Sequence, residues 1–198
     1  MAVSIDDIKK LKELTGVGLT DAKNALVEAE GDFDKALEAM RKKGLTKAEK
    51  KADREALEGV IDSYVHGGRI GVLVEVNCET DFVANTDDFK NLAKDLAMHV
   101  ASTAPLSVSA EGIDETVIER ERAVYLEQVK EEGKPEHIAE RIIEGKLQKF
   151  FKESALLAQP FVKDPDKTIE QLITEVSSKT GEKIEVARFV RFKVGEFS

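Results

Sequence analysis

Ile5, Ile8, Leu11 and Leu14 recur at helical spacing behind Ser4, with polar residues between them. That pattern predicts an amphipathic helix starting after Ser4. Ser4 and Asp7 have the spacing of a capping box, and Val3 and Ile8 that of a hydrophobic staple. Gly16 is the expected stop, since glycine enters the left-handed conformation that closes a helix at no steric cost. Thr20 is expected to cap a second helix carrying Ala22, Ala25, Leu26 and Ala29, and Gly31 to close it. Asp32 then caps a third with Phe33, Ala36, Leu37 and Met40, and Gly44 lies beyond its end. Three short apolar stripes can be buried only against one another, so the first part of the chain reads as a three-helix bundle.

From Leu57 the period changes to two. Val60, Asp62, Tyr64 and His66 fall on one strand face and Leu57, Gly59, Ile61, Ser63 and Val65 on the other, and Gly67-Gly68 suits a two-residue hairpin turn. The return strand runs from Arg69 to about Cys78 with Ile70, Val72, Val74 and Val76 on one face. Phe89, Leu92, Ala93, Leu96 and Val100 mark a helix capped by Thr86 and closed before Pro105. A polar helical hairpin is expected over residues 114–132 and 135–157, turning at Glu132-Gly133-Lys134 with Pro135 at a first helical position. Thr168 with Gln171 starts one more helix, carrying Ile169, Leu172, Ile173 and Val176 and ending at Gly181. A last strand places Ile184, Val186, Arg188, Val190, Phe192 and Val194 on one face. The three strands are most simply joined in one mainly antiparallel sheet covered by helices. The fold class is therefore α+β, with a helical domain and linker over residues 1–52 and a core over 53–198 that includes the helical hairpin at about 114–157.

Composition narrows the function classes. The 198 residues carry 30 Lys and Arg against 39 Asp and Glu, a net charge of −9, and 41% are hydrophobic. This is too apolar for a disordered chain and too acidic for a dedicated nucleic-acid binder. Residues 41–55 hold a local excess of positive charge; as a nucleic-acid patch it is interrupted by acids, and a solvated linker helix with Thr46 and Glu49 as its capping box is the competing reading. No apolar run approaches the roughly 18 residues needed to span a bilayer, and no signal-peptide pattern opens the chain, which points to a cytoplasmic protein. One cysteine and three histidines leave no intramolecular disulfide and no closed Cys/His zinc site.

Catalytic chemistry finds no foothold. Cys78 and His66 sit on neighbouring strands, but with the turn at Gly67-Gly68 they stand roughly 30 Å apart along the hairpin at about 3.3 Å per residue. His99 and His137 are expected to pack or to face solvent rather than to ligate. No phosphate-binding glycine loop of the usual spacing occurs. One segment stands out: Thr80-Asp81-Phe82-Val83-Ala84-Asn85 places a large aromatic at a strand-to-helix junction, either folded back on the core or displayed.

The run from Val74 to Ala84, Val-Glu-Val-Asn-Cys-Glu-Thr-Asp-Phe-Val-Ala, closely resembles a signature of the elongation factor Ts family, the guanine-nucleotide exchange factors of elongation factor Tu. The run from Leu14 to Leu26 is similar to the other family signature. Gly133-Lys134-Pro135, Glu144-Gly145-Lys146, Gln159-Pro160-Phe161-Val162 and the run from Arg188 to Gly195 also resemble family segments, in the family's order. The resemblance implies that the helical bundle is ubiquitin-associated-like and holds the nucleotide-binding domain of elongation factor Tu, with Val17, Gly18, Leu19 and Lys23 at the docking surface. It implies that Thr80, Asp81, Phe82 and Val83 disturb the partner's magnesium and phosphate region, with Phe82 as the wedge. It further implies a partner met both GDP-bound and nucleotide-free, no cofactor or metal of the chain's own, and no direct contact with nucleic acid or membrane. Longer family members have two related core halves; this chain shows one, and short members pair as homodimers. Two readings from other classes compete: a ubiquitin-type or ribosome-associated binding module, carried by the bundle alone, and a nucleic-acid binder using residues 41–55.

Overall fold

A computed structural model of the chain describes residues 3–15, 19–40, 54–133 and 135–196. Gly16, Gly44 and the Thr46/Glu49 pair, on which three expectations rest, lie outside the described residues. The strands are β1 (Glu58–His66), β2 (Ile70–Cys78), β3 (Pro160–Phe161), β4 (Asp164–Thr168) and β5 (Ile184–Lys193). β1, β2 and β5 form one antiparallel sheet with β2 in the middle, and the chain is α+β as its periodicities imply. The chain forms two compact units, one drawn from Met1–Asp62, Val74–Asp95 and Gln171–Ala187, the other from Ser63–Leu73, Leu96–Glu170 and Arg188–Ser198.

In the first unit, α1 (Ile5–Thr15), α2 (Leu19–Glu28) and α3 (33–40) bury Ile8, Leu11, Ala22, Ala25, Leu26, Ala36 and Met40 together. Val3 packs against this cluster, as a staple requires. The Ser4 hydroxyl accepts the Asp6 N–H at 3.2 Å, one residue short of the capping-box expectation, and Asp32 Oδ1 caps α3 through the Lys35 N–H at 3.0 Å. Two details of the bundle correct the pattern. Ile5 and Leu14, expected on the buried stripe, are exposed among the described residues, while Ile8 and Leu11 between them are buried. α2 already includes Leu19, so Thr20 lies within the helix rather than capping it.

β2 buries Val72, Val74, Val76 and Cys78, whereas Leu73 is exposed, the alternation of a strand covered on one face. α5 (Asp87–Thr103) buries Phe89, Leu92, Ala93, Leu96 and Val100 as its stripe requires, and the Thr86 hydroxyl accepts the Phe89 N–H at 3.3 Å. α8 (Ile169–Thr180) ends at Gly181, whose φ of +82° is a glycine conformation.

In the second unit the Arg69 N–H donates to the His66 carbonyl at 3.0 Å across Gly67 and Gly68, with φ of +56° and +68°. Two consecutive positive φ values define the mirror-image turn that matches strand twist, which side chains with a Cβ resist. α6 (Glu115–Glu131), capped by the Asp114 carboxylate, and α7 (Glu136–Ser154), preceded by Pro135 at its cap, form the expected hairpin around Val129, Ile143 and Leu147. Lys146 adds a contact over the Tyr125 ring at 5.7 Å, and Arg122 pairs with Glu140. The hairpin's second helix stops at Ser154 rather than at 157, because the following backbone is claimed elsewhere. Ala155 bridges Ser107, and the Leu156 and Leu157 N–H groups donate to the Ser107 and Val108 carbonyls at 2.9 and 3.0 Å. β3 and β4 form a small hairpin the periodicity does not show, pairing Pro160 with Thr168 and Phe161 with Asp164.

β5 also departs from a single face. Ile184 and Val186 are buried, but beyond Ala187 the covered positions move to the odd numbers, Phe189 and Arg191, and Val190 and Phe192 are exposed. Arg191 is drawn inward, its Nε donating to the Ala101 carbonyl in the last turn of α5 at 3.4 Å, where a cation meets the negative end of the helix. A shift of one residue in phase turns every later side chain over.

Gly59 tests the β1–β2 contact. A Cβ there would lie 2.2 Å from the Val76 carbonyl oxygen and 2.8 Å from Asn77 Cα, both backbone, whereas one at Gly71 meets nothing within 4 Å. Gly59→Ala is expected to cost about 1–3 kcal/mol by urea unfolding, the scale of forced overpacking. Gly71→Ala should stay within about 0.5 kcal/mol, as surface substitutions do.

Candidate functional site

The site is built where β2 ends. Cys78 is fully buried and its thiol donates to the Thr80 carbonyl at 3.1 Å. Burial pushes this thiol up from its ordinary range, and the neighbouring Glu182 adds to the shift, so it is poorly suited to act as a nucleophile. His66 is occupied separately, its Nδ1 3.1 Å from the Tyr64 hydroxyl. The cysteine and histidine that could have formed a nucleophile and base are thus each committed to other contacts.

After Cys78 the chain leaves the sheet through Glu79 and Thr80. Their two N–H groups donate to the same oxygen, Glu182 Oε2, at 3.1 and 3.0 Å, and the Thr80 hydroxyl donates to Glu182 Oε1 at 2.6 Å. In the other direction, Glu79 Oε1 accepts the Lys183 N–H at 2.6 Å and the Arg54 guanidinium at 3.2 Å. Lys183 Nζ in turn donates to the Arg54 carbonyl at 3.0 Å.

The segment that reads as a loop in the sequence is a single helical turn, α4 (Asp81–Ala84). The Ala84 and Asn85 N–H groups donate to the Thr80 and Asp81 carbonyls at 3.2 and 3.0 Å, and the Thr86 hydroxyl donates to the Val83 carbonyl at 2.7 Å. A four-residue helix is too short to persist unaided, so its shape depends on these ties and on burial. Val83 and Ala84 are buried, while Asp81 is exposed and the Phe82 ring is 83% exposed. Of the two placements open to Phe82, the structure has the second: the ring is displayed, and Val83 beside it is the residue that folds inward.

The structure brings Thr80, Asp81, Phe82 and Val83 into one turn and gives them different surroundings. Thr80 faces Glu182, Asp81 and Phe82 face solvent, and Val83 anchors. Of the expected docking residues, Val17 and Gly18 lie outside the described residues. Leu19 and Lys23 are both exposed, one turn apart on α2. Val27, exposed a further turn along, continues that line and was not singled out from sequence, although an apolar residue four positions after Lys23 is the signal for it. Glu182 was also missed. It follows Gly181 in a short break between α8 and β5, and nothing local marks it.

His99, in the second unit, is fully buried, with Nε2 2.9 Å from Gln159 Oε1 and Nδ1 accepting the Val162 N–H at 3.3 Å. Burial holds its imidazole below the usual range, and both nitrogens are used in packing α5 to the chain around β3. The His137 side chain lies outside the described residues. Among the described residues no group of three or more His, Cys, Asp or Glu comes together to hold a metal ion, and no helix is long and apolar enough to cross a membrane.

A family model described as elongation factor TS matches residues 6–196. A curated elongation factor Ts of Thermoanaerobacter sp. is 51% identical over 195 residues, covering 98% of this chain and 96% of its own. That of Carboxydothermus hydrogenoformans is 54% identical over 190 residues, covering 96% and 88%. That of Fervidobacterium nodosum is 53% identical over 197 residues, covering 99% and 100%.

Proposed function

The chain belongs to the elongation factor Ts family, and on that premise we propose that it is the guanine-nucleotide exchange factor of elongation factor Tu. It binds the GDP-bound form, promotes GDP release by displacing Mg²⁺ and disturbing the nucleotide site, and leaves the site open to GTP. No bond is made or broken, so the chain needs no catalytic residue and no cofactor of its own. A factor that binds the empty partner more tightly than the loaded one must, by linkage, weaken nucleotide binding by the same factor.

The observation that carries this reading is the Phe82 ring, 83% exposed on a turn whose next residue, Val83, is buried. Single exposed apolar side chains are common on protein surfaces. What favours insertion for Phe82 is that its ring stands on a turn tied at both ends, by Thr80 to Glu182 and by Thr86 to Val83, so a partner meets a ring already held in place. Bound Mg²⁺ bridges and neutralises the nucleotide phosphates, so an aromatic pushed in beside it acts where nucleotide affinity is greatest. Burying a phenylalanine side chain stabilises by about 1.5–3 kcal/mol. Spent only on the nucleotide-free state, that is about a 10- to 150-fold weakening of GDP. Asp81, exposed beside it, contacts the partner or supports the turn, and Thr80 and Val83 set its base.

In this proposal the bundle and linker, residues 1–52, form the docking module, with Val17, Gly18, Leu19 and Lys23 against the nucleotide-binding domain of elongation factor Tu, and residues 53–198 carry the wedge. The factor works in the cytoplasm without direct contact to nucleic acid or membrane, which a net charge of −9 favours by opposing phosphate surfaces.

We also propose a homodimer. Counted back from the Val194 N–H bond to the Arg69 carbonyl, Val190 stands opposite Leu73 and Phe192 opposite Gly71, so the exposed Leu73, Val190 and Phe192 share one face of the second unit's sheet. A two-fold axis brings the same patch of each copy together, so an exposed apolar face of this kind can be buried against a second copy of itself.

Release of fluorescent GDP from elongation factor Tu tests the main proposal. The chain should accelerate it, and Phe82→Ala should lower the acceleration by about one to two orders of magnitude, the loss of a buried ring, and the affinity for the nucleotide-free partner by a like factor, while barely changing the urea midpoint or the affinity for the GDP-bound partner. No acceleration by the unaltered chain would reject the function. A stability loss of about 3–5 kcal/mol, the cost of truncating a core phenylalanine, would reject the wedge. For the dimer, light scattering at micromolar concentration should give about twice the 21.9 kDa chain mass and Phe192→Glu should give the monomer. A monomeric unaltered chain would rule the pairing out.

A further inference from the structure

We infer that Glu182 is a positioning residue for exchange: its carboxylate, reaching from the α8–β5 break, fixes the direction in which Phe82 leaves the fold. This inference rests on the function proposed above. Glu182 is 102 residues from Thr80 in the chain, yet it takes up every donor that Thr80 has, the N–H at 3.0 Å and the hydroxyl at 2.6 Å, and the Glu79 N–H at 3.1 Å as well. Two successive N–H groups aimed at one carboxylate oxygen set the orientation of two successive peptide planes. Ionised acceptors make the shorter and stronger hydrogen bonds, so these planes are held more firmly than by neutral partners.

The position of the clamp gives it leverage. Thr80 is the residue before the first turn of α4, at φ −133° and ψ 154°, and its hydroxyl makes no capping bond to that turn. A threonine at such a position ordinarily caps the helix it precedes. Here the capping group is turned away to Glu182, so the start of α4 is oriented from outside rather than from within. Phe82 is two residues on. Past it, the buried Val83 and the Thr86 hydroxyl bond to the Val83 carbonyl hold the exit of the turn. Removing the clamp therefore loosens the entry and leaves the exit fixed, which swings the ring without unfolding the turn.

The clamp is itself braced. The Glu182 carbonyl accepts the Ser177 hydroxyl of α8 at 2.5 Å, and its neighbour Lys183 gives its N–H to Glu79 at 2.6 Å. The two glutamates each give a carboxylate to the other's backbone segment. The Glu79 carboxylate keeps its bonds to the Lys183 N–H and the Arg54 guanidinium when Glu182 is changed, so the end of β2 stays joined to the start of β5. The expected damage is confined to the Glu79 N–H, Thr80 and the first turn of α4.

The test uses the full chain with elongation factor Tu carrying fluorescent GDP. Glu182→Ala, and Glu182→Gln as a variant of nearly unchanged volume that keeps one acceptor oxygen, should lower the maximal release rate at saturating factor by about tenfold or more, the scale of a misplaced group. The half-saturating concentration should stay near that of the unaltered chain. Because Glu182 is argued to act through Phe82, the double variant Glu182→Ala/Phe82→Ala should release GDP no more slowly than Phe82→Ala alone, whereas a separate structural role would add its own loss. Amide hydrogen exchange of the free chain is the second readout: the Thr80 and Glu79 amides should exchange at least about tenfold faster in both variants, with Leu96 and Val100 unchanged. An unaltered maximal rate, additive losses in the double variant, or equal protection of Thr80 would each overturn the positioning role. If the unaltered chain failed to release GDP, the function would fall, and the amide measurement alone would decide whether Glu182 holds the loop.

Discussion

The end of β2 and the start of β5 are held together by two glutamates that each give a carboxylate to the other's backbone, Glu79 to Lys183 and Glu182 to Glu79 and Thr80. The candidate site takes its shape from this exchange. The edge of a strand that leaves a sheet has N–H groups with no ladder partner, and leaving them bare in a partly covered place is costly. Here they are met by charged acceptors, which also makes the departure of the chain directional. The turn beyond them is only four residues long, and it borrows its rigidity from this base and from the buried Val83.

That arrangement fits the task of an exchange factor, which is to present one group in a fixed direction to a site that already holds a tightly bound ligand. A mobile phenylalanine would spend part of its binding free energy on being ordered, and that part would be lost to the coupling with nucleotide. A ring on an anchored turn keeps it. The neighbouring chemistry is quiet in the same sense: the buried Cys78 thiol is pushed up and hydrogen-bonded, and the buried His99 imidazole is held below its usual range with both ring nitrogens engaged, so neither competes as a reactive group.

Much of the fold was legible because it obeys local rules. The stripes of α2 and α3, the inner half of the α1 stripe at Ile8 and Leu11, the Gly67-Gly68 turn, the buried run Val72, Val74, Val76 and the stripe of α5 stand where spacing puts them. The failures share one cause, tertiary contacts that local pattern does not encode. Ile5 and Leu14 keep helical spacing but are exposed among the described residues. α7 stops at Ser154 because residues 107 and 108 take the following N–H groups. β4, Asp164–Thr168, has the composition of a turn and is a strand only because β3 pairs with it. β5 changes phase after Ala187, where Arg191 turns to the end of α5. The site divides in the same way. Thr80 to Val83 could be picked out by resemblance, and which of them faces outward could not be read from the residues. Glu182 could not be found at all, since its role exists only through a contact spanning about half the chain.

The place of Phe82 in the complex is the central claim, and photo-crosslinking tests it most directly. With a benzophenone-bearing phenylalanine analogue at position 82 of the full chain, irradiation in the presence of nucleotide-free elongation factor Tu should give one dominant adduct. The crosslinked peptide should map to the partner's magnesium and phosphate region, and excess GDP with Mg²⁺ should diminish it. Adducts only within this chain, or on a part of elongation factor Tu away from the nucleotide and insensitive to GDP, would contradict the account.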